Sequence, residues 1–384
     1  MYARLIELSL GTPELLSASY FLFGPRGCGK TTWVRSFFNQ ATYIDLLDQQ
    51  IYLDVRGSPD HIWRYFPKDR SIPIIIDEIQ KVPELLNEVH RAIEHEGRHF
   101  ILTGSSARSL RKKGVNLLAG RARQLTMHPL TAQEQLEDFD LVKTLQYGQL
   151  PTVKTASDPK EYLSSYVNTY LREEVQQEGL TRNIQAFHRF LEVASFSHGQ
   201  MLNLSSIARE VGVDQKVIAG YFDILEDLLI AWRLPIFKKR AKRRLSQHPK
   251  FYFFDVGVYK VVRPRGPLDQ TSEINAPALE GLFLQEMKAI NAYFKRDYEF
   301  FFWNTSNQIE VDFVAYGPKA ILAFEIKHKD SVDTRDLSAL KIFRKDYPMA
   351  KLYLIYQGDR RLWIDDITIL PMTEALKTLD QILE

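Results

Sequence analysis

Residues Gly24-Pro25-Arg26-Gly27-Cys28-Gly29-Lys30-Thr31-Thr32 satisfy the pattern G-x-x-x-x-G-K-[ST] in full. Glycines let such a loop curl until its backbone N–H groups face phosphate oxygens, and a helix start behind them favours negative charge. The pattern assigns Gly24 through Thr32 to a nucleotide, with Lys30 reaching the β- and γ-phosphates and the Thr31 hydroxyl on Mg²⁺. Forty-seven residues after Lys30, the run Ile72-Pro73-Ile74-Ile75-Ile76-Asp77-Glu78 ends in two carboxylates. A buried strand tolerates acids only at its ends, so Asp77 is expected to hold Mg²⁺ through water and Glu78 to polarise the attacking water. ATP is the expected cofactor together with Mg²⁺. A third apolar run, Phe100-Ile101-Leu102-Thr103, leads into Gly104-Ser105-Ser106, where Ser105 or Thr103 is expected to sense the γ-phosphate. Beyond it lie Arg108, Arg111, Lys112, Lys113, Arg121 and Arg123. Arg121 is the expected arginine finger toward a neighbouring subunit's nucleotide, which requires a homo-oligomer. Cys28 fills a variable position of the loop and reads as a small tolerated side chain.

A second set of acids lies near the C-terminus. Ile309–Val314 carries Asp312, Ala320–Lys327 carries Glu325 and Lys327, and a helix-like stretch over 278–294 carries Glu280. Residues two apart on a strand share a face, so Glu325 and Lys327 point together, and a hairpin through Gly317-Pro318 brings Asp312 beside them. Acids on an otherwise apolar face are costly unless they pair or coordinate something. Glu280, Asp312 and Glu325 are the expected ligands of Mg²⁺ or Mn²⁺, with Asp312, Glu325 and Lys327 catalytic in phosphodiester cleavage. The alternative is a paired Glu325–Lys327 cluster without metal.

The elements that hold these residues follow from apolar spacing. Tyr20–Phe23 is of strand type, and a helix is expected over 33–39. Residues 186–196 have helical spacing, a second helix starts at Leu204 with a serine cap, and Val211-Gly212-Val213 supplies a turn. Asp214 caps a third helix over 215–230 with apolar positions at Val217, Ile218, Tyr221, Ile224, Leu225 and Leu228. Helix, glycine turn and helix is the helix-turn-helix outline, and the strand-like segments 231–237 and 250–254 make a wing. Between them sits Lys238-Lys239-Arg240-Ala241-Lys242-Arg243-Arg244, six cations in seven residues. Such a cluster releases counterions on meeting phosphates, so Lys238, Lys239, Arg240, Lys242, Arg243 and Arg244 are the expected DNA contacts. The alternative is an ion-pair surface facing the acidic segments.

The chain of 384 residues carries a net charge of +2, yet that total hides opposed parts. Residues 1–130 sum to +4, 131–180 to −5, 181–265 to +8 and 266–384 to −5, which places an anionic partner at the third segment. Hydrophobic residues at 45% and charged ones at 26% fit a globular protein of two to three domains. A single cysteine excludes a disulfide framework and a cysteine-built zinc site, and a reducing cytoplasm is the expected location. Glu7 interrupts the first apolar stretch, so no secretory signal is expected, and no run is long enough for a membrane span.

The glycine-lysine-threonine loop, Ile-Ile-Ile-Asp-Glu, Leu-Thr-Gly-Ser-Ser and Leu-Ala-Gly-Arg resemble the AAA-superfamily ATPases of bacteria and archaea. More narrowly they resemble the branch in which the ATPase precedes a C-terminal region long classed as of unknown function. Tyr147-Gly148-Gln149-Leu150-Pro151, 166–174 and 251–256 share in the likeness. The resemblance implies a parallel sheet, a catalytic second acid in the Asp-Glu pair, and oligomers with ATP between subunits. The Asp312, Glu325 and Lys327 set, with Glu280, resembles the PD-(D/E)XK nuclease superfamily, although Val311 stands where that pattern has proline. The expected fold class is α/β. It comprises a P-loop parallel-sheet ATPase domain (1–130), a helical connector (131–180), a winged-helix-like basic domain (181–265) and a restriction-endonuclease-like domain (266–384). Two readings of function stay open: an ATPase that binds and cuts DNA, branched DNA by analogy, or a nucleotide-switched DNA-binding protein whose nuclease fold is inactive. A third, remodelling of a protein partner, leaves the basic run unexplained.

Overall fold

The computed structural model describes residues 2–10, 18–105, 110, 118–171, 175, 183–238, 248–267 and 269–384. Among them, the N-terminal part builds one parallel sheet from β1 (Ser19–Phe23), β2 (Thr42–Asp45), β3 (Ile74–Asp77), β4 (Phe100–Gly104) and β5 (Ala122–Thr126). The spatial order is β2-β3-β4-β1-β5. Strands β1, β3 and β4 are buried along their whole length, as continuous Ile, Leu and Phe runs in a sheet covered on both faces require. Strand β5 closes the edge with the more polar Ala-Arg-Gln-Leu-Thr. Helices Lys30–Phe37, Gln49–Gly57 and Leu85–Glu96 make the crossovers. Because Phe23 pairs with Gly104 and Ile76 with Leu102, the carboxyl ends of β1, β3 and β4 open side by side, where open parallel sheets take ligands.

The middle of the chain is mostly helical, with Leu141–Tyr147, Pro151–Thr155, Pro159–Ser165, Ile184–Ser195, Leu204–Val211 and Gln215–Asp227. Asn203, not a serine, caps the helix Leu204–Val211, its side chain accepting from Ser206 N at 3.1 Å. The amide oxygen of asparagine reaches that donor from the position before the helix, which Ser205, already inside it, cannot. Gly212 ends the same helix at φ 80°, and Asp214 caps the next through Lys216 N at 2.7 Å. That helix stops at Asp227, short of the expected 230, where Leu229 turns to φ 61°. Val217, expected in the core, is 40% exposed, whereas Ile218, Tyr221, Ile224, Leu225 and Leu228 are buried. An antiparallel pair follows, β6 (Ala231–Leu234) with β7 (Lys250–Phe253).

The C-terminal part places the long helix Thr271–Tyr293 ahead of β8 (Glu299–Asn304), β9 (Glu310–Tyr316) and β10 (Ile321–Lys327), which run antiparallel to one another. Helix Ser338–Asp346 then crosses to β11 (Lys351–Tyr356), parallel to β10, and β13 (Ile367–Pro371) continues in parallel. A short β12 (Leu362–Ile364) closes the edge antiparallel to β13. One apolar core joins the middle and C-terminal parts, with Phe251 and Phe253 of β7 in the same cluster as Leu282, Phe313 and Phe324. The hairpin is also stitched to β8, since Phe237 N donates to Phe302 O at 2.7 Å and Phe302 N to Pro235 O at 3.0 Å. Among the described residues no helix is long and apolar enough to cross a membrane.

Candidate nucleotide site and C-terminal carboxylate cluster

Gly27 and Gly29 of the loop stand at φ 81° and 92°, a region L side chains rarely adopt, and Gly29 starts the helix Lys30–Phe37. Gly24 is required for a different reason: a Cβ there would lie 2.4 Å from Met127 O. Lys30 is 7% exposed, and its Nζ donates to Gly24 O at 2.7 Å and Pro25 O at 3.1 Å. Thr31 Oγ1 donates to Asp77 Oδ2 at 2.9 Å, bringing the loop and the end of β3 to one point. Asp77 also accepts from the hydroxyls of Tyr43 and Thr103. Burial, followed by the Asp77 carboxylate, pushes the Tyr43 phenol up, so it stays a donor. A hydroxyl and a carboxylate held this close, with three donors fixing the carboxylate, are an oxygen pair of the type Mg²⁺ takes.

Glu78 follows in a left-handed conformation, φ 61° and ψ 45°, uncommon for a residue with a Cβ. Its N–H donates to Thr103 Oγ1 at 3.2 Å, and its carboxylate accepts from the Gln80 amide. Gln80 also reaches Ser105 Oγ at 3.4 Å. Thr103 therefore sits on Asp77 and Glu78, while Ser105 lies one step out beside Gln80. Tyr43 and Gln80 escaped the sequence reading. Their signal was weak, a lone tyrosine two residues before Asp45 and a glutamine two after Glu78.

The loop is held from behind by residues far from it in sequence. Arg4 donates to Cys28 O at 2.9 Å and to His128 O at 2.6 Å, and pairs with Glu134 at 3.0 Å. Arg4 also touches the Tyr293 hydroxyl at 3.5 Å, and that hydroxyl accepts from His128 N at 2.9 Å. Tyr166 donates to Arg26 O at 3.0 Å. Cys28 is buried, with Sγ on Pro25 O at 2.9 Å. Arg121 immediately precedes β5, exposed, in an ion pair with Glu94 of its own chain. Arg108, Arg111, Lys112 and Lys113 lie outside the described residues.

In the C-terminal sheet, Phe313 pairs with Phe324, so Asp312 faces Glu325 across β9 and β10, and Asp312 Oδ2 accepts from Ile326 N at 2.8 Å. Lys327 Nζ meets Glu325 Oε1 at 2.7 Å, the same-face pairing expected from their spacing. Glu325 Oε2 is buried without a hydrogen-bond partner. Burial first, then Asp312, hold the Glu325 carboxyl well above the usual carboxylate range. Glu280 accepts from the Tyr252 hydroxyl at 2.9 Å, and burial with Asp312 pushes it up to about 8.

The sequence reading missed the group at the centre. Lys250, the first residue of β7, is 3% exposed, and its Nζ pairs with Glu310, with Asp312 Oδ1 at 3.7 Å and with Glu280 Oε2 at 3.9 Å. Burial opposes its charge, but Glu280, Asp312 and Glu310 outweigh that and raise its pKa. Of the expected metal ligands, Glu280 and Asp312 meet around this ammonium, and Glu325 pairs with Lys327. Among the described residues no three His, Cys, Asp or Glu side chains are arranged to hold a metal ion. Of the expected DNA contacts, Lys238 is exposed, and Lys239, Arg240, Lys242, Arg243 and Arg244 lie outside the described residues.

Residues 138–269 match a domain of unknown function (DUF8612), and residues 277–375 match another (DUF4143). Uncharacterized proteins of Mycobacterium bovis and Mycobacterium tuberculosis are each 25% identical over 367 residues, 93% of this chain and 80% of theirs. An uncharacterized protein of Haemophilus influenzae is 21% identical over 324 residues, 80% of this chain and 78% of its own. Among solved structures, the Aeropyrum pernix Orc1 protein in complex with DNA aligns with 68% of this chain and 92% of its own, at 14% identity and a TM-score of 0.29. A Vibrio cholerae protein aligns with 95% of this chain and 97% of its own, at 12% identity and a TM-score of 0.23. Residues 17–136 match the family described as AAA domain. That match, together with the glycine loop, the parallel sheet and the Asp77–Glu78 strand end, supports an ATPase of the AAA superfamily in this N-terminal part.

Proposed function

We propose that the chain hydrolyses ATP at the loop and uses the nucleotide state to change its hold on DNA. The observation that carries the reading is the meeting of Thr31, Tyr43 and Thr103 on Asp77, one residue before Glu78. Lys30 and the loop amides take the phosphates, Thr31 and Asp77 hold Mg²⁺, and Glu78 polarises the attacking water. Gln80 sets the Glu78 carboxylate, and Ser105 reports on the γ-phosphate through Gln80. Arg121 acts on a neighbouring subunit's nucleotide once it leaves Glu94, in a homo-oligomer. Arg4 and Tyr166 carry the loop's state outward, because both grip loop carbonyls while packing against later parts of the chain. DNA is held by the basic run 238–244 beside the helix-turn-helix outline.

A second reading, metal-dependent cleavage of DNA by the C-terminal part, has its own support. Asp312, Glu325 and Lys327 share one face, and the order of helix, three antiparallel strands, helix and parallel strand suits a PD-(D/E)XK-like domain. Mg²⁺ or Mn²⁺ would be its cofactor.

The DNA half is tested by anisotropy of labelled duplex and branched DNA across a salt series, with and without ATP and Mg²⁺, beside a variant lacking the six cations. Each phosphate that the protein no longer neutralises lowers the logarithmic salt slope by about 0.9. A flattened slope is expected, and an unchanged one moves the run to a protein partner.

A further inference from the structure

The carboxylates of the C-terminal sheet would meet a divalent cation only if their centre were free. Lys250 fills it. Its Nζ pairs with Glu310 and lies 3.7 Å from Asp312 and 3.9 Å from Glu280, inside ion-pairing reach of the carboxylates a metal would need. The remaining oxygens are largely spoken for. Tyr252 donates to Glu280, Asn304 donates to Glu310 Oε2 at 2.9 Å, and Ile326 N donates to Asp312. An ammonium buried to 3% exposure survives only with such compensation, and three acids this close stay ionised together only with a cation among them. Glu325, opposite Asp312 in the strand register, keeps a buried Oε2 without a hydrogen-bond partner.

Lys250 also belongs to a different part of the chain from its partners. It opens β7, in the hairpin whose connecting segment carries the basic run, whereas Glu280, Glu310 and Asp312 lie on the long helix and on β9. We propose that Lys250 is the resident cation of this cluster, standing in for a divalent metal and clamping the hairpin to the C-terminal sheet. Metal occupancy and the clamp are then mutually exclusive. While the hairpin is docked the cluster takes no Mg²⁺ or Mn²⁺, in keeping with there being, among the described residues, no three acids arranged to hold a metal ion, and removal of the ammonium lets Glu280, Glu310 and Asp312 draw together on a divalent cation. The inference does not rest on the ATPase reading, and it restricts the nuclease reading to a state with Lys250 withdrawn.

The test is Mn²⁺ binding to the full chain by calorimetry and by the paramagnetic resonance of free Mn²⁺, without nucleotide. All proteins carry Lys30→Ala and Asp77→Asn, so that the loop site contributes nothing. In that background the otherwise wild-type cluster is expected to show no saturable site, Lys250→Met to gain one per chain, and Lys250→Met with Asp312→Asn to lose it again. The Lys250→Met chain is also expected to melt earlier than its parent and to recover part of the loss on adding Mn²⁺. A saturable site in the parent that Asp312→Asn removes overturns the proposal, as does a folded Lys250→Met chain that gains none. Should Lys250→Met fail to fold, the parent arm decides alone: an Asp312-dependent site overturns the clamp, and its absence supports it. Cleavage of DNA, measured separately, then reports on the nuclease reading without deciding this one.

Discussion

Replacing Arg4 with methionine keeps the aliphatic stem and removes the guanidinium, leaving several buried groups without their partner. Glu134, whose side chain is fully buried, loses a 3.0 Å ion pair, and the carbonyls of Cys28 and His128 lose donors at 2.9 and 2.6 Å. Breaking a buried pair by removing one member costs about 3–5 kcal/mol, because the other charge stays desolvated. Glu134 keeps two backbone donors, Leu5 N at 2.8 Å and Thr131 N at 2.9 Å, which places its own share toward the lower end. Each orphaned carbonyl adds roughly 1 kcal/mol. Arg4→Met is therefore expected to lower unfolding free energy by about 5 kcal/mol. Adding Glu134→Gln to it should cost little, giving a coupling of about 2 kcal/mol between the two positions. Urea unfolding of the four chains of that cycle measures both quantities. A loss below about 1 kcal/mol for Arg4→Met, or strict additivity of the two substitutions, would refute the view that Arg4 straps the loop to the rest of the chain.

Gly24→Ala forces its new methyl against Met127 O, which is backbone and cannot swing away, so about 1–3 kcal/mol of stability should go, together with ATP affinity; a variant with wild-type melting and binding contradicts the close approach. Glu286 is fully buried, accepts from Ala132 N and Gln149 Nε2, and is pushed up to about 8, chiefly by burial. Its neutral form is the one the fold favours, so its contribution is complete below the ordinary glutamate range and declines as pH rises to about 8, by on the order of 1 kcal/mol per pH unit. Glu286→Gln should flatten that part of the stability–pH curve, and an unchanged slope would show that the carboxyl is ionised in the fold. Gln80→Ala should lower ATP turnover roughly tenfold while leaving ATP binding within about twofold, measured by steady-state phosphate release and by nucleotide titration; a parallel loss of binding would make Gln80 structural.

The parts legible in the sequence are those whose physics is local. A fully buried central strand leaves a continuous apolar run, and β3 and β4 were readable because their polar residues come only at the ends, Asp77 and Thr103. The same-face rule placed Glu325 with Lys327, and the hairpin through Gly317 placed Asp312 opposite Glu325. Boundaries were less legible. The helix of the loop begins at Lys30, not at the expected Trp33, because Gly29 in its left-handed conformation already turns the chain into it. What the sequence hid were interactions between parts far apart. Lys250 lies inside the most basic segment, six residues past the run 238–244, and reads as one more surface cation, yet its partners lie 30 to 62 residues later and draw it inward. Arg4 meets Glu134 across 130 positions, and nothing in the first ten residues announces that they hold the phosphate loop. Val217 failed for the converse reason: apolar spacing marks the stripe, and the neighbouring elements decide which edge of it stays wet.

Hydrolysis of bound ATP by Glu78→Gln, followed as single-turnover phosphate release beside a nucleotide titration, tests the assignment of this domain's chemistry most directly. Glu78→Gln keeps the shape of the side chain and its place beside Gln80 but gives up the carboxylate that polarises water, so ATP should bind normally while turnover falls by about 10²-fold or more. Lys30→Ala, by contrast, should lose binding itself. Turnover at the wild-type rate in Glu78→Gln would contradict the account and move the base elsewhere.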